Sequence, residues 1–148
     1  MANLVYNYFK KAVMSGSFNM GATSGTFPLS LFCMLVGSGY TADSDTHIYR
    51  SSVTNEITGT YTAGGFALSS PLLTQNDTTN QGVLDASDCL LATVTFGTAV
   101  RAAVLYGSSG LGVASDPLVA YIDFGSDLAV SAGTFQIQWN ASGILAFT

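Results

Sequence analysis

Polar and apolar positions alternate most cleanly near the end of the chain. In TFQIQWN (134–140), Phe135, Ile137 and Trp139 fall on one side and Thr134, Gln136, Gln138 and Asn140 on the other. That period of two is the mark of a half-buried strand. An NASG turn follows, and GILAFT forms a last strand whose apolar content implies that it is tied into a sheet. Further strands are expected at 27–36, 65–69, 81–86, 89–96, 98–106 and 117–124. FPLSLFCMLV (27–36) is apolar enough to be buried on both faces. In 89–96 the alternation assigns Leu90, Ala92, Val94 and Phe96 to one face, and Leu91, Thr93 and Thr95 to the other. The longest loops are expected at 37–64 and 107–115.

Only one segment has helical spacing. In LVYNYFKKAVMS (4–15), Val5, Tyr6, Phe9, Ala12 and Val13 form an apolar stripe, and Gly16 is a stop signal. Short strands separated by Gly, Ser and Asn turns, after one N-terminal helix, predict a mainly β chain. The expected architecture is an antiparallel β-sandwich or jelly-roll-like fold. The chain has 148 residues, no repeat and no linker, so residues 1–148 are read as one domain.

Composition changes the picture. Charged residues make up 9 % of the chain, against about 25 % in ordinary soluble domains, and mean hydropathy is +0.39. Yet the best apolar run has ten residues, too few to cross a bilayer as a helix. Lys10 and Lys11 follow the first apolar residues, the reverse of a secretory leader. The chain is therefore expected to be made in a cytoplasm and kept whole, with no membrane partner. Lys10, Lys11, Arg50 and Arg101 are the only cations against nine acidic residues, so no basic stripe exists for nucleic acid.

Candidate chemistry is sparse. DSDTHIYR (43–50) holds the only histidine, and Asp43, Asp45 and His47 sit at alternate positions. A cation site there would need more ligands than the neighbourhood supplies. A polar turn with Asp and Ser side chains bonded to backbone amides is the better reading. An acid–base pair would have to recruit Glu56. No GxSxG elbow or phosphate loop is present. Cys33 and Cys89 lie in apolar runs without CxxC spacing and read as buried thiols. Asn76-Asp77-Thr78 and Asn140-Ala141-Ser142 match the glycosylation sequon by chance. Arg101 and Asp123 lie inside strands and are candidates for an ion pair. The expectation is therefore no catalytic residue, no metal and no cofactor.

What remains is assembly. Residues 12–42 and 128–148 carry no charge, whereas free antiparallel sheets guard their edges with charge or proline. A partner that covers those edges explains the deficit. Tyr6, Phe9 and Val13 on the helix are the candidate contacts, with an equal claim to plugging one end of the chain's own core.

Read in order, "NLVYNYFKKAVMSGSFN", "GYTADSDTHIYRSSVTNEITG", "YTAGGFALSS", "QGVLDASD", "RAAVLYGSSG", "PLVAYIDFGSD" and "GTFQIQWNASGIL" resemble a group of small phage and prophage virion proteins. The resemblance covers nearly the whole chain. TNEITGTYTAGG lacks one glycine of that group's usual segment. The resemblance implies a small β-rich virion component. Within it, the assignment is a capsid decoration (cement) protein on the outer shell, bound to the major capsid protein and forming a homotrimer. A tail- or fibre-associated protein with a carbohydrate-binding role is the rival.

Overall fold

The structure, a computed structural model, describes residues 1–18, 30–108 and 112–148. It is mainly β and antiparallel throughout its named pairings. The elements are β1 (Leu4–Val5), α1 (Asn7–Met14), β2 (Ser30–Val36), β3 (Phe66–Ala67), β4 (Leu72–Asn76), β5 (Gln81–Asp85), β6 (Cys89–Val94), β7 (Val100–Ser108), β8 (Leu118–Leu128), β9 (Gly133–Ile137) and β10 (Leu145–Phe147). They form a five-stranded sheet in the order β1-β8-β7-β2-β3, a three-stranded sheet β10-β5-β4, and the pair β6-β9.

β2 from Leu31 to Val36 and β7 from Ala102 to Tyr106 are unbroken apolar runs because both of their faces are covered. Leu31, Cys33, Leu35, Ala103 and Leu105 point into a main core. That core is completed by Phe9 and Ala12 of α1, Leu84 of β5, Cys89 and Val94 of β6, and Phe135 and Ile137 of β9. Met34, Val36, Ala102, Val104 and Tyr106 point the other way, into a second core closed by Tyr6, Tyr40, Ala42 and Tyr121. The long 37–64 loop covers this second face with Tyr40, Ala42 and Val53 and then returns Ile57 and Tyr61 to the main core. It holds a single 3-10 turn at Arg50–Ser52 and is tacked down by bridges from Glu56 to Val36 and from Gly59 to Phe96. In β8 the register slips by one residue between the pairs Leu105–Ala120 and Tyr106–Leu118. The extra residue is a bulge, and it lets Leu118 and Tyr121 share the second core while Val119 and Ala120 face the main one.

Several expectations need correction. The helix does not begin at Leu4: Leu4 and Val5 pair with Tyr121 and Ala120 at the edge of β8, and Tyr6 stays extended while its N–H donates to Val119 O at 3.1 Å. A sheet edge offers those amides partners that a helix start cannot, since the first turn of a helix leaves its N–H groups unpaired. The stop at Gly16 holds. It has φ +70°, and Ser17 N–H closes the end on Ala12 O at 2.9 Å.

The face assignment in β6 is half wrong. Leu90 is 62 % exposed and Ala92 is exposed, while Cys89, Val94 and Phe96 are buried. Between the pairs Leu91–Phe135 and Val94–Gly133 the strand carries one extra residue, and Thr93 takes φ +55°. The bulge flips the parity of everything after it. β4 was not expected at all. β2 begins at Ser30 within the described residues, and residues 27–29 of the expected strand lie outside them. Gly107 and Ser108 of the expected second loop belong to β7, and 109–111 lie outside the described residues.

Candidate functional site

The DSDTHIYR loop is held by its own side chains. Asp43 Oδ1 accepts from Asp45 N–H at 2.8 Å and Thr46 N–H at 3.2 Å, and its Oδ2 accepts from the Thr46 hydroxyl at 2.7 Å. The Thr46 hydroxyl, then the Asp45 and Thr46 amides, keep the Asp43 carboxyl below its usual range. Asn7 at the start of α1 donates from Nδ2 to Asp45 Oδ1 at 2.6 Å, and its N–H bonds Ser44 O at 3.0 Å. His47 points inward. Its Nδ1 accepts from Asp43 N–H at 3.3 Å and lies 3.0 Å from the Tyr40 hydroxyl, whose other neighbour is the Tyr6 hydroxyl at 2.9 Å. A backbone N–H only donates, so Nδ1 carries the lone pair and Tyr40 donates to it. The carboxylates and the imidazole thus serve the loop and its docking on α1. Among the described residues, no group of three or more His, Cys, Asp or Glu could hold a metal ion.

Glu56 lies elsewhere. Its Oε1 accepts from Gly64 N–H at 2.5 Å, and it lines a cleft of about 380 Å³ together with Met34, Arg50, Ser51 and Val53. Sequence reasoning missed the centre of this cleft. The Arg50 guanidinium donates to the Tyr106 hydroxyl at 2.7 Å, lies 4.9 Å from that ring's centroid, and reaches buried Asp116 at 3.5 Å. Tyr106 in turn donates to Gly64 O at 2.6 Å. These contacts fasten the 37–64 loop to β7 and to the lead-in of β8. Arg50 and Asp116 are far apart in sequence and lack a spacing that could have announced the pair.

Arg101 on β7 and Asp123 on β8 form an ion pair at 2.8 Å. The Met1 ammonium and Gly125 N–H also bond the Asp123 carboxylate. Arg101 first, then the ammonium, hold the Asp123 carboxyl far below its usual range. A depressed folded-state value stabilises the fold fully above the unfolded value of about pH 4, and the contribution drains away as pH falls from there toward the folded value. Asp123→Asn is therefore expected to lower the thermal midpoint at pH 7 by several degrees. It should also flatten the pH dependence below about pH 4, as read by calorimetry across pH 2–7.

Two of the three candidate helix contacts are withdrawn from the surface. Tyr6 and Phe9 are both 0 % exposed, Tyr6 in the second core and Phe9 in the main one, and Val13 packs partly buried beside it. This stripe belongs to the chain's own interior because β1 and the 37–64 loop clamp α1 against the sheet. Cys33 and Cys89 are free and buried, and burial pushes the Cys89 thiol up to about 11. Asn76 and Asn140 of the two sequons cap their own turns: Asn76 Oδ1 accepts from Thr78 and Thr79 N–H, and Asn140 Oδ1 from Ser142 N–H. No described helix is long and apolar enough to cross a membrane.

Surface that a partner could use lies at the other end of the sequence. A groove of about 350 Å³ is lined by Ile122, Phe124 and Leu128 of β8, by residues of β9, and by Trp139 and Ile144 beyond it. Trp139 is fixed by its indole N–H on Ser87 O at 3.1 Å and by its backbone N–H on Asp88 Oδ1 at 3.0 Å. Asn3, Gln136, Gln138 and Asn140 bring carboxamides to the rim, and all twelve lining residues are uncharged. Ile122 and Ile144 continue into a shallower cleft along β1 and β10.

No protein-family model matches this chain, no curated protein is detectably similar to it in sequence, and no solved structure matches its fold.

Proposed function

We propose that this chain is a non-enzymatic phage virion structural protein: a capsid decoration (cement) protein that binds the outer surface of the major capsid shell and stabilises it. It is made in the host cytoplasm and mounted on the particle as a homotrimer. One observation carries the reading. The charge-free stretch 128–148 is folded as β9, β10 and the wall of a half-exposed apolar groove, a surface that suits a permanent partner better than water. The resemblance of the sequence to small phage virion proteins points the same way. We further propose a β-sandwich of jelly-roll type, in which the five-stranded sheet faces the three- and two-stranded sheets across the main core.

Imaging intact particles at side-chain resolution tests the function. Density repeated over the shell at three-fold or quasi-three-fold positions is the expected result, and density confined to a tail or a single vertex overturns it. Leu128 at the groove rim is 38 % exposed, so Leu128→Lys should leave the fold intact. Shell attachment should weaken about tenfold, measured by co-sedimentation with particles stripped of the protein.

A second reading, a tail- or fibre-associated protein that binds glycans, draws on the groove's chemistry. An indole beside four carboxamides suits a neutral sugar, which stacks its C–H face on an aromatic ring and spreads hydroxyls to amides. Binding of neutral oligosaccharides that Trp139→Ala abolishes, in a variant shown to be folded, would favour it.

A further inference from the structure

Among the named strands, β4 is the one whose residues are all exposed. On one side Leu72–Asn76 pairs with Gln81–Asp85, and no strand pairs with the other side among the described residues. Leu72 is 57 % exposed and Leu73 44 %, two of eight large apolar side chains exposed among the described residues. The usual guards of an edge are missing. No charge occurs from residue 57 to 76, and the nearest proline, Pro71, stands just before the strand. The other edges are shorter or interrupted: β1 and β3 have two residues each, β10 has three, and β6 is broken by the Thr93 bulge. The open side of β9 borders the groove walled by Phe124 and Leu128.

We propose that two copies of this chain join edge to edge through β4, antiparallel and two-fold about Thr74. The inference rests on the assembly reading above and supplies one of its self-contacts. A row of free N–H and C=O groups is satisfied only by another extended chain. Charge then selects which chain. The net charge of −5 makes two copies repel over most of their surface, and the neutral 57–76 stretch is a place where they approach at low cost. Self-pairing about Thr74 also engages every residue of the strand. Thr74 meets its own counterpart, Leu73 meets Gln75, and Leu72 meets Asn76, with no like charges opposed and no proline in the ladder. Thr–Thr pairs are favourable cross-strand neighbours. The two three-stranded sheets become one continuous antiparallel sheet of six. The contact is two-fold, so it links a subunit of one trimer to a subunit of the next rather than building the trimer.

Sedimentation equilibrium of the purified protein over a wide concentration range tests this, together with amide hydrogen exchange. Wild type is expected to double in mass from monomer to dimer, or to grow from trimer to hexamer and larger linked trimers, with exchange slowing at residues 72–76. Thr74→Lys sets two ammonium groups face to face at the two-fold axis and should weaken the doubling at least tenfold. Leu90→Lys, on the exposed face of β6, should double as wild type does. A wild-type mass that never doubles, or a doubling that persists in Thr74→Lys, overturns the pairing. Failure of wild type to attach to shells would instead count against the decoration reading and leave the pairing intact.

Discussion

Phe9→Asp leaves no folded protein. The ring is fully buried, meets Phe18 edge-on at 4.9 Å between centroids and has Phe147 at 6.0 Å. Truncating such a side chain costs about 3–5 kcal/mol. A carboxylate in its place adds the desolvation of a charge buried in a hydrophobic cluster. Against a total stability of roughly 5–15 kcal/mol, the sum is decisive. Loss of near-ultraviolet circular dichroism and of dispersed amide resonances is the expected readout. Met14→Asp, on the same helix but 83 % exposed, is the control and should fold as wild type does. A folded Phe9→Asp protein would mean that α1 can leave the core, and would return the helix to the list of partner surfaces.

Gly65→Ala should be nearly as damaging, for a reason of backbone rather than core. Gly65 has φ +87°, and a Cβ there would lie 2.0 Å from Cys33 O and 2.7 Å from Cys33 C. Both atoms are main chain of β2, which cannot step aside without breaking its ladders to β3 and β7. Positive φ alone costs an alanine on the order of 1 kcal/mol. The overlap brings the expected loss to about 4 kcal/mol or more, in the range reserved for backbone strain and broken cores. The thermal midpoint should drop by more than about 10 °C. Gly82→Ala makes the comparison sharp. Gly82 lies in β5 with nothing within 4 Å of its would-be Cβ, so alanine there should be neutral or slightly stabilising. Equal damage at both positions would show that the β2–β3 approach is looser than 2.0 Å implies.

Much of the sheet was legible because side-chain periodicity survives wherever a strand is straight. Phe135 and Ile137 of β9 kept the buried face that alternation gave them, and Arg101 met Asp123 across neighbouring strands. Legibility failed where one residue was added. Alternation groups Leu90 with Val94 and Phe96 on one face because the bulge at Thr93 leaves no trace in a polarity pattern. It failed again at Leu4 and Val5, whose spacing fits a helix as well as a strand, so that only the open edge of β8 decides between them. β4 was invisible because LLTQN lacks alternation. The signal that could have found it lies just beyond, in NDTTN. There Asn76 caps the turn and Asn80 takes φ +56°, as hairpin turns ask. Of the candidate site residues, Tyr6 and Phe9 went the other way because an amphipathic stripe announces burial without saying against whom. The Arg50–Tyr106–Asp116 contacts depend on a long loop folding back, which no local spacing records.

The pairing of Leu4 with Tyr121 and Val5 with Ala120 also sets a timetable. β1 waits for a partner that is made long after it, and α1 cannot be clamped until that strand is in place. Closing so long a loop is entropically slow. A nascent chain of this protein therefore carries Tyr6 and Phe9 uncovered until β8 has been made and can seal them.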